Sequence, residues 1–272
     1  MSEQVLTARW RLPLPHSTGG RLLVAIRLAA VLALVAAAAT TPGFFTTVSL
    51  FSLLNTMSFI GCVAVGMTFI TLSGNIMSFA LSVTLSTSGI IFIAALPLGL
   101  AGAMMTALAF GAAITGIQGA VIGYFRANPI IVSMAALALI TGGATLITQG
   151  HGVYPQDNAA APLQGRVFGV PMPLFAFIVT VVAAQIVLSF TRFGRQLYMV
   201  GSNWRAALAA GLAPARVVLG AYVAAGLCTA LAGILMAGRY SSGDLELGIG
   251  YDYHAISAVL VVIMLQTLAD EA

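Results

Sequence analysis

Few side chains in this chain have the chemistry for catalysis, and those few are scattered. His16, His151 and His254 lie in a tail, a loop and a span boundary. None stands at metal-ligand spacing with cysteine or an acid. Cys62 and Cys228 sit inside apolar runs and read as small apolar fillers, not a disulfide framework. No GxxxxGK[ST] loop is present, so ATP is not bound by that motif. These residue types point to no enzyme, and no metal or cofactor is expected. What remains are hydroxyls, amides and arginines. Within the apolar part they surface at Ser73-Gly74-Asn75, which reads as a tight turn or as a re-entrant break lining a pathway. They surface again at Asn128-Pro129, an N-cap followed by a first-turn proline. Ser73, Asn75 and Asn128 are the candidate pathway residues. No acid falls at the centre of an apolar run, which argues against an ion-driven carrier. It suits a path of amides, hydroxyls and backbone for a neutral or polyhydroxylated solute. The densest polar stretch, residues 191–216, holds four of the eleven basic residues and no acid.

The elements that must position these groups follow from composition. Hydrophobic residues make up 60% of the 272 and charged residues 7%, against about 25% charged in a soluble domain. So few charges cannot cover a water-exposed surface. Eight apolar segments can be drawn, at about 22–40, 50–72, 78–98, 100–124, 129–148, 173–190, 217–237 and 254–268. Segments of this length in lipid must satisfy their backbone internally, which predicts an all-α, polytopic membrane bundle. The ten-residue alternation of a β-barrel is absent. The expected organisation is a cytoplasmic tail at 1–21, a membrane domain at 22–268 and a short tail at 269–272. With the N-terminus inside, Arg9, Arg11, Arg21, Arg126, Arg192, Arg195, Arg205 and Arg216 fall inside, and only Arg166 and Arg239 outside. That places 191–216 in the cytoplasm. The acids Asp157, Asp244, Glu246 and Asp252 fall outside, in two loops, 149–172 and 238–253, expected to form an outer rim. The arginines form no single stripe, so nucleic acid is a poor partner. Small residues from Gly111 to Gly123 predict close helix packing.

The stretch GRQLYMVGSNWRAALAAGLAPARVVLGAYVAAGLCTALAGILMAGRYSSGDLELGIGYDYHAISAVLVV resembles the permease subunits of ribose-type ABC importers. GMTFITLSGN and NPIIVSMAALALITGGATLITQG add weaker matches, and the resemblance covers about Phe44 to Val262. It implies a cytoplasmic coupling element built on Gly194, Arg195, Gly201, Asn203, Ala206, Ala207 and Gly211, with Arg205 available for polar contact. Trp204 to Ala210 has the alanine-rich propensity for a short helix, with Ser202 or Asn203 to cap it and Gly211 to end it. The resemblance further implies ATP-binding subunits, a second permease chain, an extracytoplasmic solute-binding protein and a multi-pass location in a bacterial-type inner membrane. Two departures stand out. Where the family commonly has Gly-Gly-Ile-Asp-Leu-Ser-Val-Gly, this chain has Gly74-Asn75-Ile76-Met77-Ser78-Phe79-Ala80-Leu81. Where members continue into further spans, it ends at LQTLADEA, which reads as a shortened permease or one completed by a partner subunit. The rival readings are a branched-chain amino-acid-type ABC permease and a secondary carrier.

Overall fold

The computed structural model describes residues 46–155, 160–167 and 169–270. The drawn segment at 22–40 lies outside them. Leu53–Ile263 forms one compact unit, and the fold and sites below are built on it. The described residues are helical almost throughout: α1 (Thr47–Leu72), α2 (Leu81–Ala95), α3 (Leu100–Phe125), α4 (Pro129–Thr148), α5 (Met172–Phe190), α6 (Arg192–Ser202), α7 (Trp204–Ala209), α8 (Pro214–Tyr240) and α9 (Tyr251–Asp270). Among the described residues six helices are long and apolar enough to cross a membrane: α1, α2 with its 3-10 extension to Leu98, α3, α4, α5 and α8. The only ladder described is a two-residue antiparallel pair, Arg166–Val167 with Val170–Pro171. The soft boundary near Pro97 is a real break: a 3-10 turn over Leu96–Leu98, then Gly99 at φ 86°, then α3.

α3 and α8 form the central pair, and small residues set their register. A Cβ on Gly123 would lie 2.8 Å from the Ala215 carbonyl oxygen, and one on Gly111 would lie 2.6 Å from the Ala230 Cβ. The two helices therefore run antiparallel with backbones close together, as small-residue seams allow in membranes. α2 runs parallel to α8: Gly89 packs on Gly233 and Ala237, and Gly233 packs on the Leu85 carbonyl. Leu81 through Ile90 of α2 are all buried, five hydroxyl residues among them.

This register fixes depth. Gly233 lies 19 residues along α8 from Pro214, or about 28 Å at 1.5 Å per residue. Leu81, one turn before Leu85, then lies about 22 Å along an α8 that is about 40 Å long. α2 therefore begins roughly halfway up the bundle, and residues 75–80 climb to it without regular structure.

One sequence expectation is corrected here. The 149–172 and 238–253 loops are expected to form an outer rim together. The structure joins only the start of the second to the first, through an antiparallel bridge, Val153 to Gly243, both N–H···O distances 2.8 Å. Beyond that point the chain turns back along α2. Gly243 packs on Ile90, and Gly248 packs on Ser82 and Ser86. The Ser86 hydroxyl donates to the Leu245 carbonyl at 3.0 Å and accepts from the Gly248 amide at 2.9 Å. Tyr253 reaches Phe79, ring centroids 6.3 Å apart. The loop descends because two glycines leave room for it and a serine satisfies its backbone. Asp252, read as an outer-loop acid, is thereby buried at the level where α2 begins.

Candidate functional site

The basic stretch 191–213 folds into two helices joined at a corner. Thr191 caps α6, its hydroxyl accepting from the Gly194 amide at 3.2 Å. Sequence reading left α6 unassigned, although its pattern is amphipathic. Gly194, Leu197 and Val200 are buried, whereas Arg192, Arg195, Tyr198 and Met199 are exposed. At Gly194 the helix crosses so close to the Leu188 carbonyl that a Cβ would overlap it. α7 is the short helix the sequence predicts. Asn203 caps it, its side-chain oxygen accepting from the Ala206 amide at 3.0 Å. It ends where the Gly211 amide bonds to the Leu208 carbonyl and the Leu212 amide to the Ala207 carbonyl, with Gly211 at φ 78°.

The structure brings Ser73 and Asn75 to this corner. A Cβ on Gly201 would strike the Leu72 carbonyl oxygen and come within 3.2 Å of the Gly74 amide nitrogen. Gly74 itself takes φ 85°. The break is closed by local bonds: the Ser73 hydroxyl donates to the Ile70 carbonyl at 2.7 Å, and the Asn75 amide donates to Ser73 Oγ at 2.7 Å. Arg126, just past α3, lies over the Trp204 ring at 4.9 Å from its centroid. The ends of α1 and α3 and the start of α8 thus share one end of the bundle with α6 and α7.

The predicted residues divide by role. Arg195, Arg205 and Ala206 are exposed and available to a partner. Ala207 is 3% exposed, so it packs α7 onto its own chain. Gly194 and Gly201 make room for backbone crossings, and Asn203 and Gly211 bound α7. Asn128 is exposed and caps α4, its side-chain oxygen accepting from the Ile130 amide at 2.9 Å. That bond accounts for it without a pathway role. Cys62 and Cys228 are free. Among the described residues no group of three or more histidines, cysteines or acids is placed to hold a metal.

A family described as the permease component of the branched-chain amino acid transport system matches residues 49–266. The chain belongs to this permease family. The permease is also similar to the ribose import permease protein RbsC of Escherichia coli (strain K12), 32% identical over 241 residues, 86% of this chain and 75% of the relative. The L-arabinose ABC transporter permease protein AraH of Azospirillum brasilense is 30% identical over 229 residues, 82% and 66% of the two chains. Ribose import permease protein RbsC of Bacillus subtilis (strain 168) is 29% identical over 232 residues, 81% and 70%. No solved structure gives a significant match to the permease. Two residues that sequence reading missed as functional candidates are Asp252 and Ser78, both buried where α2 and α9 begin. The similar tripeptides Ser73-Gly74-Asn75 after α1 and Ser242-Gly243-Asp244 after α8 mark the two breaks but contain neither residue.

Proposed function

We propose that this permease is the membrane-spanning subunit of an inner-membrane ABC importer for a sugar or a similar small polar solute. ATP is hydrolysed on separate subunits, a second permease chain completes the pathway, and an extracytoplasmic binding protein delivers the solute. The importer permeases to which the chain is similar carry ribose and arabinose in their names. That supports a sugar over a branched-chain amino acid, although the family description names the latter.

The observation that carries the reading is the α6–α7 corner. It presents Arg195, Arg205 and Ala206 outward and is seated on the Leu72–Gly74 break by a backbone contact at Gly201. A push on such a seat passes to α1 and to the climb toward α2 without a flexible side chain in between. In this reading the membrane domain is residues 22–268, residues 1–21 form a cytoplasmic tail, and 191–216 form the cytoplasmic coupling loop.

Charge reversal on the exposed face tests it. Arg205→Glu with Ala206→Asp is expected to lower ATP-dependent sugar uptake at least tenfold and to reduce copurification of the ATP-hydrolysing subunit, with the permease still inserted. Uptake and copurification equal to the wild type would remove α7 from the docking surface. Uptake driven by an ion gradient, with no ATP-hydrolysing subunit bound, would favour the carrier reading instead.

A further inference from the structure

We propose a solute-contact site at mid-depth, formed where the starts of α2 and α9 meet, with Ser78, Phe79, Asp252 and Tyr253 as its members and a polyhydroxylated molecule as its ligand. The inference rests on the importer reading and deepens it by naming where inside the membrane the solute is held. The two helix starts are brought together by the Phe79–Tyr253 ring contact at 6.3 Å. They lie about 22 Å along a helix of about 40 Å, so both are far from either end of the bundle.

Three features are found together at these two helix starts. Irregular backbone at membrane depth persists only where protein buries it or where it borders a cavity, and here residues 75–80 and 249–250 both interrupt helices. Asp252 is 3% exposed, and its carboxylate receives one hydrogen bond among the described residues, from the Tyr253 amide at 3.0 Å. A carboxylate has capacity for about four, and an acid inside a membrane protein is retained for function far more often than for packing. Ser78 is 0% exposed, and its hydroxyl has no hydrogen-bond partner among the described residues. Buried polar groups are normally paired, so an orphan hydroxyl at one helix start and a carboxylate with unused capacity at the other are groups to which a ligand can supply the missing bonds. Asp252 also argues against an anionic ligand, which two helix N-termini alone would otherwise favour.

The chemistry fits a sugar. A carboxylate accepts hydrogen bonds from neighbouring hydroxyls, a serine donates to or accepts from a third, and the Phe79 and Tyr253 rings offer apolar faces to the C–H side of a pyranose or furanose. Tyr253 is exposed in the single chain, which leaves its ring free to meet a solute.

Two measurements on the full chain test the site. First, Ser78→Cys is made in a Cys62→Ala, Cys228→Ala background and exposed to a membrane-impermeant methanethiosulfonate in right-side-out and inside-out vesicles. Reaction from at least one side, slowed by D-ribose or L-arabinose, is expected. No reaction from either side, while the rim control Tyr154→Cys reacts, overturns the site. Second, Asp252→Asn keeps size and a hydrogen-bonding oxygen but loses the charge, and Ser78→Ala removes only the orphan hydroxyl. Each is expected to raise the KM for uptake of the transported sugar, about tenfold for Asp252→Asn, with protein level and thermal stability kept. Unchanged uptake kinetics in both variants overturns the site while leaving the importer reading intact. A wild type that takes up no sugar defeats the importer reading instead, and thiol accessibility then decides the site alone.

Discussion

At the scale of single residues, the glycines of the α6–α7 corner separate two costs that sequence alone cannot tell apart. Gly211 adopts φ 78° with open space around it, whereas Gly201 has an ordinary helical φ and no space at all. An alanine at Gly211 meets only backbone strain, about 1 kcal/mol. An alanine at Gly201 drives a methyl into the Leu72 carbonyl and must move one of the two elements, about 1–3 kcal/mol. Gly201→Ala is therefore expected to lower the melting temperature in detergent more than Gly211→Ala and to impair uptake. Gly211→Ala should leave uptake close to the wild type. Equal effects of the two on melting would mean that the Gly201 contact is not tight in solution. Both glycines stand out in the sequence as candidate coupling positions through the family resemblance. Which of them serves a turn and which a contact is not legible there, because Leu72 is 129 residues away in the chain.

At the scale of elements, the sequence disclosed helices wherever an apolar run had polar ends, and it failed where a helix starts or stops inside the membrane. The α7 helix was legible because its cap, its alanines and its terminal glycine are consecutive. The drawn span at 78–98 ends where the helix and its 3-10 extension end but starts three residues early, and nothing local reveals that α2 begins halfway up the bundle. That follows from the contact of Gly89 with Gly233, a long-range fact. The descending segment 243–250 was hidden for the same reason, since its hydrogen bonds go to Ser86, some 160 residues earlier. Ser86→Ala would remove the acceptor of the Gly248 amide and the donor to the Leu245 carbonyl. One buried group left unpaired costs about 1–3 kcal/mol. Ser86→Ala is expected to destabilise the permease by that order in thermal unfolding in detergent. Thr84→Ala is the control: among the described residues its hydroxyl bonds only the Ala80 carbonyl one turn back, at 2.7 Å, and its loss should cost less. Comparable melting for the two variants would mean that the 243–250 segment does not depend on Ser86.

At the scale of the whole molecule, two lines sort the loops onto two ends. Arginine counts place 126 and 191–216 on one side of the membrane and the 149–172 and 238–253 loops on the other. The backbone contacts group 191–216 and the start of 238–253 in the same way. Arg126 stacks on Trp204 and Gly201 seats on Leu72–Gly74 at one end. At the other, Val153 bridges to Gly243, and the Gln164 side chain donates to the Ser241 hydroxyl at 2.7 Å. The contacts establish which loops lie together; only the charge bias says which end faces the cytoplasm, because arginines beside short loops are retained on the inner side. Absolute orientation is therefore the part that needs an experiment. In the Cys62→Ala, Cys228→Ala background, Ser202→Cys and Tyr154→Cys place one exposed thiol at each end. An impermeant maleimide added to intact spheroplasts is expected to label Tyr154→Cys and to spare Ser202→Cys until the membrane is permeabilised. The reverse pattern would put α6 and α7 outside, out of reach of any ATP-hydrolysing partner, and the coupling role would fall with it. Labelling of both from outside would contradict the two-ended grouping itself.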